Sequence, residues 1–386
     1  MQRRGWVRRV AVGCGVVVAV GVVAVAVLVA YNWTFLSRAA TFPDRPVTDV
    51  DWYQPTESVP GGPGPDLPVA ARPQIPADVL ARVAAYAEKK ESSALIILHR
   101  GEVVAEHYWR GHHRAARTCS MSMAKTLAGL LVGAAIADGA IAGVDEPACK
   151  HLTEWAGDGR AGVTVRHLLQ MTSGLEGAGD ADDPDSAVVP MWLGTDSLAI
   201  VTGAKLVREP GSRFAYNSVD TQALAILLER AAGRRYADYL SEKVWRPIGA
   251  ADAAVWLDRP GGLPKAFGGV LATAQDWARV GLLLQNGGRV GDKQVVPAAW
   301  VRDMLTPSPR EPDYGYQIWL GRGGCRREDH EEPFVAPDVA YLDGRFKQRV
   351  YVVPSAELVV VRVGEQARGW DEAEVVNTLL RGLAQH

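Results

Sequence analysis

The stretch that most constrains this chain runs from Cys119 through Ser120-Met121-Ser122-Met123-Ala124-Lys125-Thr126 into the apolar segment Leu127 to Ile136. Ser122 and Lys125 stand three residues apart, so a helix here sets both on one face with the amine in reach of the hydroxyl. A serine hydroxyl is a weak nucleophile at neutral pH, and a lysine desolvated against an apolar helix can lose its proton and accept one from the serine. The first N–H groups of that helix and the positive end of its dipole lie where a tetrahedral oxyanion would form. The same spacing also fits an ordinary helix start, with Ser120 or Ser122 as N-cap and Lys125 in solvent. The rest of the chain has to decide between the two.

At the N-terminus, Arg3, Arg4, Arg8 and Arg9 precede an uncharged run from Val10 to Ala30, 21 residues of mostly Val, Ala and Gly. A spanning helix needs about 20 apolar residues, whereas a cleaved signal peptide has an apolar region of about 7–15. The expectation is a transmembrane signal-anchor over 10–31, with a cytoplasmic basic flank at 1–9 and Trp6, Tyr31 and Trp33 as interfacial anchors. Cys14 then belongs to the membrane helix, and Ser37-Arg38-Ala39-Ala40 makes a poor cleavage site. Pro43 to Pro76 carries nine of the 23 prolines, and residues 32–75 read as a semi-extended stalk outside the cytoplasm. The remaining 76–386 suffices for one large domain. A net charge of −2 gives no reason to expect nucleic acid. Cys119, Cys149 and Cys325 have no zinc-site spacing, and leave open one disulfide with a free thiol or three free thiols.

Within the domain, Pro76 to Lys90 is predicted helical, and Ala94 to Leu98 and Val103 to Tyr108 form a strand pair about Arg100-Gly101. Arg349 to Val353 and Leu358 to Val363 are apolar, β-branched strands around the turn Pro354-Ser355-Ala356-Glu357. Val375 to Ala384 closes the chain as a helix. Early strands, a helical middle and late strands point to an α+β fold: an antiparallel sheet flanked by helices, with an all-helical insert.

On these residues the chain resembles the serine β-lactamase and penicillin-binding-protein superfamily. Ala94 to Gly111 is similar to its opening hairpin, and Ser122-Met123-Ala124-Lys125 to its Ser-x-x-Lys motif. Val163-Thr164-Val165-Arg166-His167-Leu168-Leu169-Gln170-Met171-Thr172-Ser173-Gly174-Leu175 and Gly268-Gly269-Val270-Leu271-Ala272-Thr273-Ala274 resemble two further segments. Phe214-Ala215-Tyr216-Asn217-Ser218 stands for the Tyr-x-Asn motif, which makes Tyr216 the second base. Ser218 replaces the expected asparagine, so Asn217 or Ser218 is the expected substrate contact. Leu342-Asp343-Gly344-Arg345-Phe346-Lys347-Gln348 resembles the Gly-x-x-Gly-Gln variant of the branch holding 6-aminohexanoate-dimer hydrolases and related esterases, with Lys347 at the second glycine. That resemblance implies an oxyanion hole from the backbone N–H groups of Ser122 and Arg345, with Gly344 and Phe346 beside substrate and Arg345 or Lys347 as a possible cation. Among Asp180, Asp182, Asp183 and Asp185, an acid such as Asp183 would hold a substrate ammonium; a solvated acidic loop is the other reading. Tyr314-Gly315-Tyr316-Gln317-Ile318-Trp319 resembles a further family segment, expected chiefly as core.

The chain offers no Gly-x-Ser-x-Gly elbow and no His-Glu-x-x-His zinc motif, and the run Asp329-His330-Glu331-Glu332 reads as an exposed loop. The expectation is a membrane-anchored extracytoplasmic serine hydrolase that cleaves small esters or short amides through an acyl-enzyme on Ser122, with no metal and no organic cofactor. A D-alanyl-D-alanine carboxypeptidase or β-lactamase acting on cell-wall peptides or β-lactams is the alternative enzyme. A non-catalytic cell-wall or partner-binding module is the alternative class. Nothing in the sequence fixes an oligomeric state.

Overall fold

An apolar helix at the surface needs something to cover it, and the first elements of this chain meet that need in opposite ways. The computed structural model describes residues 20–62, 64–179, 182–183, 185–321 and 332–384. The basic flank, the first half of the apolar run, Cys14, Asp180, Cys325 and Asp329-His330-Glu331 lie outside the described residues. Helices α1 (Val20–Tyr31) and α2 (Trp33–Ala40) meet at a 69° bend, and among the described residues no single helix is long and apolar enough to cross a membrane. The side chains of α1 are about 60% exposed, Val20, Val22 and Leu28 among them. α2 is docked. The buried Arg38 guanidinium donates to the carbonyls of Leu193 (3.1 Å), Gly194 (2.8 Å), Gln54 (3.2 Å) and Asp258 (3.0 Å), and lies 5.0 Å from the Trp256 ring centroid.

The stretch expected as a stalk is likewise packed on the domain. Strand β1 (Thr56–Val59) pairs antiparallel with residues 253–256, and Val47, Tyr53, Val59, Leu67 and Ile75 are buried. Prolines exclude a helix here, but they do not exclude extended chain whose N–H groups bond to a neighbour. Gly62 N donates to Ala250 O, and Gly64 N to Gly249 O.

The chain continues through α3 (Ala77–Lys89), the hairpin β2 (Ser92–His99) and β3 (Glu102–Tyr108), and β4 (Arg117–Cys119). Helices α4 (Ala124–Ala137), α5 (Val165–Leu169), α6 (Val188–Leu193), α7 (Ser197–Gly203), α8 (Ser218–Ala232) and α9 (Tyr236–Leu240) fill the middle. There follow β5 (Ala253–Trp256), β6 (Val270–Thr273), α10 (Ala274–Gln285), the small hairpin β7 (Arg289–Val290) and β8 (Lys293–Gln294), and α11 (Ala298–Met304). β9 (Trp319–Leu320), β10 (Ala340–Gly344), β11 (Gln348–Val353), β12 (Leu358–Gly364) and α12 (Glu374–Leu383) end the domain.

The larger sheet has the order β3-β2-β12-β11-β10-β9 and is antiparallel throughout, so the late strands join the first hairpin as expected. β2, β11 and β12 are buried on both faces, which explains why they are largely apolar rather than alternating. Leu95, Ile97 and Val360 pack against Val79 and Val83 of α3 and Val376 of α12, while Ile96, Val359 and Val361 face Trp277 and Val280 of α10. A second sheet of order β1-β5-β6-β4, absent from the expectation, lies beside the Ser122 turn. Its strands are too short to show a period. Its pairing spans the chain.

If α2 is fixed through Arg38, Arg38→Ala strands four carbonyl groups and should lower stability by about 2–4 kcal/mol. Urea unfolding of the full chain measures this, and an unchanged midpoint would contradict the docking.

Candidate active site

β4 delivers the chain to Met121, a non-glycine residue held in the left-handed region at φ 48°. A short 3-10 turn, Met121–Met123, then runs into α4. Such backbone persists only where the surroundings over-determine it. Ser120 fixes the entry: its Oγ donates to Gly268 O (3.1 Å) and accepts from Val270 N (3.2 Å). α4 is buried on nearly all sides, so Lys125 near its start is only 2% exposed. Its Nζ donates to Ser122 Oγ (3.0 Å), Ser218 Oγ (3.2 Å) and Phe267 O (2.9 Å). The helix-start alternative with Lys125 in solvent is therefore not what forms, and no serine side chain caps the turn or α4.

Tyr216 comes from the segment before α8. Ala215 N donates to Met171 O (2.9 Å) and Gly179 N to Tyr216 O (3.1 Å), which ties that segment to the Thr172-Ser173-Gly174 turn. The Tyr216 ring stacks on Trp319 with centroids 5.6 Å apart, and Lys125 Nζ lies 5.1 Å from its centroid. Trp319 and Tyr314 are thus core that backs the tyrosine. Asn217 is 1% exposed: it accepts from Val219 N (3.0 Å) as the cap of α8 and donates to Glu176 O (3.1 Å). With both ends of its amide used in the fold, it lies away from the cavity. Ser218 is the residue that meets Lys125.

The turn between β10 and β11 forms the opposite wall. A Cβ on Gly344 would stand 2.6 Å from Ser120 O, so glycine is what lets this strand lie against the Ser122 turn. Phe346 and Lys347 have φ of 63° and 64°. The turn is held from behind by buried side chains that sequence reading missed. Arg362 donates to the carbonyls of Phe346 (2.7 Å) and Lys347 (3.1 Å), and Gln348 to that of Phe346 (3.2 Å). Arg349 bonds Gly344 O (3.1 Å) and Glu372. Burial works against ionising Glu372, but Arg349 and Lys347 hold it well below the usual carboxylate range. Lys347 Nζ is 2.9 Å from Glu372, away from the cavity. Arg345 lines the cavity and faces the exposed Asp182 at 3.6 Å. Asp183 accepts from Asp185 N (2.9 Å) within its own loop and is not brought to the cavity.

Ser122, Tyr216, Ser218, Arg345 and Phe346 therefore share one cavity of about 290 Å3. The rest of its lining, Phe42, Met121, Val188, Val189, Trp192, Leu193 and Phe267, is apolar and was not foreseen. Gly268 makes room for it, since a Cβ there would meet Trp192 at 2.6 Å. Cys119, directly behind the turn, is a buried free thiol pushed up to about 12 by burial.

A serine held by a buried lysine beside a tyrosine, between an antiparallel sheet and a helical insert, is the arrangement of a serine hydrolase. Residues 80–385 match the family model described as Beta-lactamase, and the chain belongs to this family of serine hydrolases. It is 31% identical to the 6-aminohexanoate-dimer hydrolase of Paenarthrobacter ureafaciens over 290 residues, 68% of this chain and 73% of that one. A solved structure from Bacillus anthracis, provisionally named a 6-aminohexanoate-dimer hydrolase, superposes with a TM-score of 0.70 at 21% identity, covering 88% of this chain and 92% of the other. A family VIII carboxylesterase does so with a TM-score of 0.63 at 16% identity, over 83% and 100%.

Ser173 Oγ donates to Asp220 Oδ1 at 2.6 Å and joins the Thr172-Ser173-Gly174 turn to α8. Burial raises the Asp220 carboxyl to about 8, against a partial offset from Ser173. Between its unfolded value near 4 and about 8, the folded protein keeps a proton that the unfolded chain has released, so this stabilisation is full below about pH 4 and lost as pH rises through 8. Asp220→Asn should flatten that slope. Urea midpoints at pH 5 and pH 8 test it; equal slopes in both proteins would contradict the assignment.

Proposed function

We propose that this protein hydrolyses small esters or short amides through an acyl-enzyme on Ser122. The observation that carries the reading is Lys125 Nζ at 3.0 Å from Ser122 Oγ in a site that excludes water from the amine. Ser122 Oγ attacks the carbonyl carbon while its proton passes to the Lys125–Tyr216 pair. The backbone N–H groups of Ser122 and Arg345 receive the oxyanion. Collapse expels the alcohol or amine, protonated from the same pair, and a water activated there then releases the acid.

The relative from Paenarthrobacter ureafaciens supports an amide or ester substrate, and the apolar cavity favours an uncharged one. The cell-wall-peptide reading has less support, because Lys347 is engaged by Glu372 rather than offered to a substrate carboxylate. The site works from a membrane anchor outside the cytoplasm in this reading. Support for that is the basic flank and apolar run, and the bare apolar surface of α1.

The test is p-nitrophenyl acetate hydrolysis by the full chain in detergent, with the acyl adduct trapped by mass spectrometry. Ser122→Ala should lose at least about a thousandfold in kcat/KM and the adduct with it, and Tyr216→Phe about a hundredfold or more. Turnover that survives Ser122→Ala would overturn the reading.

A further inference from the structure

The cavity beside Ser122 is far more apolar than the chemistry of Ser122, Lys125 and Tyr216 demands. Its polar groups gather at one end, around Ser122, Tyr216 and Ser218, and at Arg345; the remainder is side-chain hydrocarbon. A peptide or oligoamide placed there would leave its own N–H and C=O groups without partners. An apolar cavity of about 150 Å3 accepts benzene, so about 290 Å3 has room for roughly ten carbon-sized atoms.

One wall comes from outside the domain predicted from the sequence. Phe42, two residues past α2, lines the cavity, yet it is 41% exposed. Its ring meets Trp52 edge-on at 5.3 Å, Trp52 meets Trp256 at 5.4 Å, Trp256 meets Trp192 at 5.2 Å, and Trp192 meets Phe267 at 5.8 Å. Phe267 in turn lies under the Lys125 amine at 5.6 Å. Arg38 ties α2 to the carbonyls of Leu193 and Gly194 at the end of α6, whose Val188, Val189 and Trp192 form the facing wall. The two walls are thus bonded to each other.

We infer that this cavity takes the unbranched acyl chain of the substrate, about six to ten carbons long, and that Phe42 is the residue of the N-terminal segment that sets chain-length preference. The inference rests on the acyl-enzyme reading above. The chain belongs on the acyl side because the acyl group stays bonded to Ser122 through both half-reactions, so its burial holds the ester for attack and keeps the acyl-enzyme seated until water releases the acid. An apolar alcohol seated there would instead be retained after its bond had broken. Closing a chain over Phe42 also covers the most exposed aromatic of the lining.

The experiment follows kcat/KM of the full chain for p-nitrophenyl acetate, butyrate, hexanoate and octanoate, with an acetate series of lengthening alkyl alcohols beside it. The acyl series should rise roughly threefold per added methylene, while the alcohol series stays flat. Phe42→Ala should lower the ratio of octanoate to acetate kcat/KM about tenfold, and Phe42→Leu should restore most of it. A flat acyl series, a rise that follows the alcohol, or an equal loss on both esters in Phe42→Ala would overturn the inference while Ser122-dependent acetate turnover leaves the general reading standing. Absence of Ser122-dependent turnover on every ester would overturn both.

Discussion

The amine of Lys125 is the point on which three otherwise separate segments converge. Among its acceptors are Ser122 from its own turn, Ser218 from the head of α8 and the carbonyl of Phe267 from the chain before β6. With oxygens of all three segments within hydrogen-bond distance, the amine is held without needing solvent. That is how a residue 2% exposed sits inside an apolar helix without wrecking it. The hydroxyl of Ser218, where the family pattern has an amide, accepts from the lysine and also lines the cavity.

Three left-handed, non-glycine residues surround the site: Met121, Phe346 and Lys347. Each is locked by something buried. Ser120 bonds on both sides of the chain before β6, and Arg362, Gln348 and Arg349 bond the carbonyls of the β10–β11 turn from beneath. The buried cations around the site bond backbone carbonyls. Arg38 and Lys265 do the same for α6: Lys265, lowered to about 7 by burial, donates to the carbonyls of Met191 and Gly194. Precision at the reacting atoms is thus supplied by charges that never meet them.

Local patterns made the centre of the molecule readable from sequence. Ser122 and Lys125 lie one helical turn apart, the apolar run behind them marks a buried helix, and the β-branched runs of β11 and β12 mark central strands. What escaped was whatever depends on distant partners. Thr56–Val59 looks like proline-rich linker because its partner, β5, is 200 residues away. Asn217 next to Tyr216 looked like a substrate ligand, but helix capping claims an asparagine just as readily, and only the position of α8 decides. Phe42, Trp192 and Arg38 had no readable signal, since none belongs to a period or a motif. Lys347 looked like a free cation until Glu372, 25 residues on, was placed beside it.

The pairing of Thr56 with Trp256 also dictates an order of events while the chain is made. At about 5–20 residues per second, roughly 10–40 s separate the synthesis of β1 from that of its partner strand. For about the first two-thirds of that interval Tyr53 has no Trp192 to meet and α2 has no α6 carbonyls to bind, and Trp52 waits for Trp256 to the end of it. The segment next to the apolar run therefore waits for about 200 further residues before it can be fully seated. A nascent chain has to keep it from other partners until its own second half arrives.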